Sequence, residues 1–461
     1  MSEEKKEECG IVAIISKTGK DVAPLMYNAL LALQHRGQDA AGFTVLSSNG
    51  LESRKGIGFV SEIFKPEDME VKGNMAVGHT RYPTIGKCQM CDVQPSVIGS
   101  VALTHNGHIA NYDELKGELG ERGKSLESTV DSEPITMLLE ERLGEGIEAA
   151  VKHLMEKLDG GYSDAAIINE QMVVFRDPHA LRPLIWGENE DFVCFASESV
   201  ALDTNGLGYR GEVAGGELII LDKEGKMERK SIIQKNAHHC MFEYVYFSRP
   251  DSIINGKLVH EVRGELGREL AREHPVEADV VIPVPDTSRT AARTFALELN
   301  LPYEEGLIKN RYVARTFIMP NQEKRKQAVR VKLNPIKTVI KGKRVVLVDD
   351  SIVRGTTLRE IVRMVRNAGA KEVHVRITSP PIRAPCFYGV DMSTYEELIA
   401  NKKSIEEIGE YLGVASLGYL SIEGLKKAID LPVCTGCLDE GYPTEYAKKL
   451  AAEKKSVSSC G

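Results

Sequence analysis

Two adjacent carboxylates, Asp349 and Asp350, close an unbroken apolar run. They precede a turn carrying Arg354 and Gly355 and then two hydroxyls, Thr356 and Thr357. The whole segment is Val345–Thr357, VVLVDDSIVRGTT. The run VVLV fits a strand buried on both faces. A glycine in the following turn lets the backbone approach an anion closely. Backbone N–H groups and hydroxyls at a helix start suit phosphate. The carboxylates cannot bind phosphate themselves, but they can hold a ribose hydroxyl pair or a Mg²⁺ that bridges to pyrophosphate. Together these groups suit a sugar with phosphate at one end and hydroxyls in its middle. A lone Asp-Asp would be no more than an exposed strand end; the longer pattern asks for more.

Two further segments support that chemistry. Pro283–Ser288, PVPDTS, ends the preceding apolar run with a carboxylate and two hydroxyls, although alone it is also a plain proline-rich turn. Lys309–Asn334 holds eight Lys or Arg and one Glu in a chain that is otherwise acidic. Lying between the two candidate phosphate loops, it reads as a basic flap that would exclude water and neutralise a leaving polyphosphate. The plainer alternative is a solvated charged surface.

A second set of residues lies near the start. Cys9 precedes Gly-Ile-Val-Ala, the beginning of a strand, and follows eight mostly charged residues. If Met1–Glu8 are removed, the Cys9 thiol lies beside its own α-amino group, whose ordinary pKa is about 7.7–8.0. That amine can act as the base for the thiol. Asn106 and Gly107, in THNGHIAN, offer a side-chain amide and a backbone N–H for an oxyanion. Arg81, in GHTRYPTIG, can hold a carboxylate in a fork, and Asp131, in TVDSEP, can hold an ammonium. A thiol, a carboxylate holder and an ammonium holder describe an amino acid attacked at its side chain, and glutamine fits. Singly, each has a bland alternative: a small core residue, a surface charge, a turn, a helix cap.

These residues need two kinds of scaffold. The chain has 461 residues, which suggests roughly two to four domains. Up to about Lys235, short β-like runs alternate with turns: 9–15, 42–47, 75–81, 100–107, 164–170 and 172–177. Two amphipathic helices, 24–36 and 133–143, interrupt them. An antiparallel, layered α+β domain follows. From about Tyr244, helices at 260–274, 288–300 and 357–370 alternate with strands at 279–285, 344–350 and 372–380. That rhythm predicts a doubly wound parallel α/β sheet, with ligands beyond the carboxyl ends of its strands. The small polar tail from Lys454 is expected to fray.

The net charge of −8 argues against general nucleic-acid or anionic-membrane binding. No apolar run spans a bilayer and the charged start lacks a signal-peptide core, so the expected location is the cytoplasm. Thiols stay reduced there, and nine cysteines then need a use other than disulfides.

CGIVAI, LQHRGQDAAG, GHTRYPT, HNGHIANYDEL and DSEP resemble the class II, N-terminal-nucleophile glutamine amidotransferases, and RDPHALRPL (176–184) and ASES (196–199) resemble later motifs of the same domain. VVLVDDSIVRGTT resembles the donor motif of type I phosphoribosyltransferases. The two together resemble the amidophosphoribosyltransferase family over nearly the whole chain.

The resemblance implies a propeptide at 1–8, an αββα glutaminase domain at 9–235 and a type I phosphoribosyltransferase domain at 236–461. It implies ammonia passing through an internal channel to 5-phosphoribosyl 1-pyrophosphate. It places Ser288 with Asp349 and Asp350 at Mg²⁺ and pyrophosphate. It also implies a homotetramer inhibited by purine nucleotides. HHCMFEYVYFSRPDS, APCFYGVDM and VCTGC resemble the family's iron–sulfur subgroup, with Cys240, Cys386, Cys434 and Cys437 as ligands of a [4Fe–4S] cluster. Zinc and free thiols are the alternatives.

Two departures stand out. Cys88-Gln-Met-Cys91 is unusual for the family loop; it could join Cys434 and Cys437 as a zinc site, or be incidental or redox-active. Ala180 stands where the family pattern more often has Gly. A different glutamine enzyme would have no use for the donor motif, and a non-catalytic donor-binding protein would have no use for Cys9, Arg81, Asn106 and Asp131.

Overall fold

The computed structural model describes residues 9–82, 88–310 and 332–459. Met1–Glu8 and most of the expected flap, 311–331, lie outside the described residues.

The first half stacks two antiparallel sheets. Seven strands form one, with Gly10–Ser16 in its interior between Phe192–Ala196 and Met75–Arg81. Six form the other, where Val101–Ile109 pairs with Gly160–Ile168. Alternation puts Ile11, Ala13 and Ile15 between the sheets, against Ala165, Ile167 and Val174. Val12 and Ile14 face the other way, onto helix Ala23–Ala32. The outer face of the second sheet is covered by Ser132–Arg142 and Ile147–Lys157. The result is the expected αββα stack. Strand Gly50–Ile57 and helix Tyr112–Glu121 were not foreseen; the strand is half exposed and polar, so it lacks the apolar alternation that marks a strand in sequence.

The second half contains a four-stranded parallel sheet, Val280–Pro283, Arg344–Asp349, Glu372–Ile377 and Ser416–Tyr419 in that order. Helices Val259–Glu273 and Arg289–Glu298 cover one face, and Thr356–Asn367 covers the other. The fully buried run Val345–Val348 accounts for the continuous hydrophobic pattern. Leu307–Lys309 and Leu333–Pro335 pair antiparallel, so the two ends of the basic segment leave the fold side by side. As far as the tail is described it is helical, not frayed: helix Glu445–Ser459 runs into it.

The halves are joined through buried polar groups. Arg182 donates from Nε to the Tyr388 carbonyl at 2.7 Å, and Thr444 donates to Asp159 at 2.6 Å. The expected turn around Ala180 holds that residue at φ +50°, in the left-handed region glycine prefers. Its carbonyl accepts from Arg176 and His239, both at 3.0 Å, which keeps the strained backbone in place.

Candidate functional site

Cys9 stands one residue before the strand Gly10–Ser16, where Gly10 pairs with Thr80. Register therefore brings Cys9 alongside Arg81, the last residue of its neighbouring strand. The Cys9 thiol lies 3.9 Å from the Tyr82 carbonyl. Arg81 is buried, its Nη2 is 3.9 Å from Asp92, and among the described residues its Nε has no hydrogen-bond partner. A buried guanidinium with an unused donor is costly unless something anionic completes it. The missing partner suits a carboxylate.

Asn106 is buried in the facing sheet, its Nδ2 3.4 Å from the Ser197 hydroxyl. That hydroxyl accepts from the Ile11 N–H at 3.0 Å, so Ser197 ties Asn106 to the strand behind Cys9. Gly107 has φ +152°, and a Cβ there would collide with the Gly161 carbonyl. Only glycine gives an N–H in that place.

Asp131 is held more tightly than expected. Its Oδ2 accepts from the Ile109 N–H at 2.8 Å, lies 3.0 Å from His108 and 3.9 Å from His105. Among the described residues its contacts run through Oδ2, which leaves Oδ1 for an ammonium. Burial would raise the Asp131 pKa, but His108 and His105 outweigh it and lower it. Burial would likewise lower that of His105, yet Asp164, 2.7 Å away, and then Asp131 raise it. His105 and His108 were visible inside HNGHIAN, but nothing in their spacing gave them this task.

In the second half, the strand Arg344–Asp349 delivers both carboxylates to its carboxyl end. Both are buried. The Ser288 hydroxyl lies 3.3 Å from Asp349, and Thr287 donates to Asp350 at 2.5 Å. The two predicted loops thus meet. Gly355, φ +79°, caps the helix Thr356–Asn367, and Thr356 and Thr357 stand exposed at its first turn. Arg354 departs from expectation: it is ion-paired with Glu397, whose Oε1 accepts from the Ser393 and Thr394 N–H groups. In this arrangement it braces the loop.

Cys240, Cys386, Cys434 and Cys437 line one cavity, with Leu181, Phe242, Tyr388 and Tyr442 around them. Strand pairing sets Cys240 opposite Cys434. Among the described residues, no three His, Cys, Asp or Glu side chains close around a point as ligands of a single ion would. Neither Cys88 nor Cys91 lines this cavity, which corrects the two-knuckle zinc alternative. Cys88 lies near Arg81, Asp92 and Asp39, and burial pushes its thiol up.

Comparison with known proteins accords with two halves. A glutamine amidotransferase domain family matches residues 82–204, and a phosphoribosyl transferase domain family matches residues 255–379. An amidophosphoribosyltransferase of Methanothermobacter thermautotrophicus is 45% identical over 99% of this chain and 98% of its own. One from Methanocaldococcus jannaschii is 46% identical over 96% of this chain and 100% of its own. The solved Bacillus subtilis glutamine phosphoribosylpyrophosphate amidotransferase, complexed with ADP and GMP, superposes with a TM-score of 0.88 at 44% identity, over 95% of this chain and 98% of that one.

Proposed function

The chain belongs to the amidophosphoribosyltransferase family, and from that premise we propose how its own residues divide the work. The enzyme carries out glutamine-dependent amidotransfer to 5-phosphoribosyl 1-pyrophosphate in purine biosynthesis.

At the first site, loss of Met1–Glu8 frees the Cys9 amine. The amine takes the thiol proton as sulfur attacks the glutamine side-chain amide. Asn106 Nδ2 and the Gly107 N–H hold the oxyanion. Collapse expels ammonia, which takes its proton from the Cys9 ammonium, and water hydrolyses the thioester to glutamate. Arg81 holds the substrate carboxylate and Asp131 Oδ1 its ammonium. The observation that carries this assignment is the unpartnered Nε of buried Arg81, adjacent by register to Cys9.

At the second site, Thr356, Thr357 and the N–H groups after Gly355 hold the donor phosphate. Asp349 and Asp350 hold the ribose, while Ser288 and its loop face pyrophosphate. The hard oxygen set of Asp349, Asp350 and Ser288 fits Mg²⁺, which when bound would neutralise charge on the leaving pyrophosphate. Ammonia displaces pyrophosphate at C1 to give 5-phosphoribosylamine. Exclusion of water protects the donor from hydrolysis.

We assign the four-cysteine cavity to a [4Fe–4S] cluster. Four soft thiols around one cavity fit it. The cluster would cross-link three chain segments and take no part in the reaction. Anaerobic iron and sulfide analysis should find about four of each per chain; zinc alone would refute the assignment.

We place the domain boundary near 235, after strand Met227–Ser231 and before the Cys240 strand pair that belongs to the second half. A cytoplasmic location accords with the eight described cysteines, none of them in a disulfide. No described helix is long and apolar enough to cross a membrane. Feedback inhibition by purine nucleotides is supported by the ADP and GMP on the Bacillus relative. A homotetramer rests on the family resemblance and is read by sedimentation.

The test follows donor-dependent glutamate release. Cys9→Ala should reduce glutamine-driven product on the order of 10⁴-fold or more, with ammonia-driven synthesis retained. Intact glutamine-driven product would refute the mechanism, as would an active mature chain still beginning at Met1.

A further inference from the structure

The Cys9 carbonyl, just outside the strand register, accepts from Arg36 Nε at 3.0 Å. Arg36 follows helix Ala23–Ala32 in a turn pressed so closely on the Thr80 and Arg81 backbone that a Cβ at Gly37 would collide with it. The rest of its guanidinium meets two carboxylates. Nη1 and Nη2 fork onto Glu243 Oε2 and Oε1 at 2.9 and 2.8 Å, and Nη1 also reaches Glu198 at 2.7 Å. All three side chains are buried.

Glu243 belongs to the other half. It opens a five-residue π-turn, Glu243–Phe247, an uncommon element often found at functional sites. Ser248, which follows, donates to Glu243 Oε2 at 2.6 Å. The same turn is gripped from its far side by buried Arg263, which donates to the carbonyls of Tyr244, Tyr246 and Ser248. Asp350 is among the charges facing Arg263. Replacing a buried ion pair by apolar groups often leaves stability unharmed, so stability alone does not explain this cluster. What it supplies is a fixed relation between the nucleophile's backbone and the domain junction.

We propose that Glu243, from the phosphoribosyltransferase half, is a positioning residue of the glutaminase site, fixing the Cys9 backbone through Arg36. The first half therefore lacks a complete nucleophile site without the second. This rests on Cys9 being the nucleophile. That premise fails separately, if Cys9→Ala retains glutamine hydrolysis.

The test compares Glu243→Gln and Arg36→Lys in the full-length enzyme. Gln keeps the shape but loses the charge; Lys keeps the charge but loses the Nε–H on Cys9. Each should lower kcat for glutamine hydrolysis about tenfold to a hundredfold, the scale of a small misplacement of a reacting group. The KM for glutamine should stay within about threefold, because neither residue touches substrate. Ammonia-driven synthesis should stay near wild type, and the rate of Cys9 alkylation by iodoacetamide should fall in parallel with kcat. Equal loss of the glutamine- and ammonia-driven reactions would overturn the proposal. So would a rise in KM alone, or an unchanged alkylation rate. If either variant fails to fold, Ser248→Ala decides. It removes one hydrogen bond to Glu243 and should lower kcat about two- to fivefold at constant KM; an unchanged kcat would overturn the proposal.

Discussion

The two active sites are built on opposite principles. In the glutaminase half, the groups proposed for the site lie on strands or just outside them, fixed by ladder register and by buried charge. Cys9 is placed by the pairing of Gly10 with Thr80, and Asp131 by Ile109 and two histidines. In the phosphoribosyltransferase half, groups project from strand ends into loops, and Thr356 and Thr357 remain exposed. The difference follows from the substrates. A small amino acid is surrounded on all sides, whereas a large, highly charged donor must enter and be covered afterwards. A closed ladder suits the first and loops beyond a parallel sheet suit the second.

The largest effect on both reactions at once is expected at the donor site. Asp349→Ala should lower both glutamine- and ammonia-driven synthesis by roughly 10²–10³-fold, measured as phosphoribosylamine formation. Cys9→Ala should spare the second reaction. If Asp349→Ala damaged only the glutamine-driven reaction, the division of labour would be wrong.

The next effect concerns buried charge. The folded His105 pKa lies above its ordinary value because Asp164 and Asp131 overcome burial. Its stabilisation is complete below the unfolded value and is lost as pH rises through the folded one. The Asp131 pKa is lowered, so its share is present above the ordinary carboxylate range and lost as pH falls through the lowered value. Thermal midpoints of wild type and His105→Gln should therefore differ most between about pH 4 and 6.5, with the gap closing on the alkaline side. A gap independent of pH would remove His105 from this role. The donor-site carboxylates make no such demand on His105, so ammonia-driven activity should not follow the same profile.

The smallest effect is conformational. Ala180→Gly should raise stability by about 1 kcal/mol or less, since it relieves a left-handed backbone but frees the unfolded chain. Urea unfolding would show it, and neither reaction should change.

Much of the donor site was legible because its signal is local. One contiguous stretch holds the buried strand, both carboxylates, the glycine and the hydroxyls. The strand Met75–Arg81 coincides with its apolar pattern for the same reason. What could not be read is long-range. Arg36 and Glu243 are 207 positions apart, and neither has a local pattern that announces the other. Arg354 reads as a donor contact because it sits within the motif, and only the fold supplies Glu397 as its partner. The polar tail looked frayed, yet Ala447 and Ala451 find a buried place against Tyr388 and Tyr442, and the helix persists. Strand Ser416–Tyr419 is too short to stand out, and pairing with Glu372–Ile377 is what makes it a strand.

Gly107 and the Gly161 carbonyl have a genetic consequence. A side chain at 107 has nowhere to go, and the N–H proposed for the oxyanion belongs to its backbone. In a library randomised at codon 107, cells that depend on glutamine for purine supply should return glycine alone. Cells fed ammonia should tolerate every replacement that still folds. The spread of surviving codons between the two selections would measure, in living cells, how far the two reactions can be inherited apart.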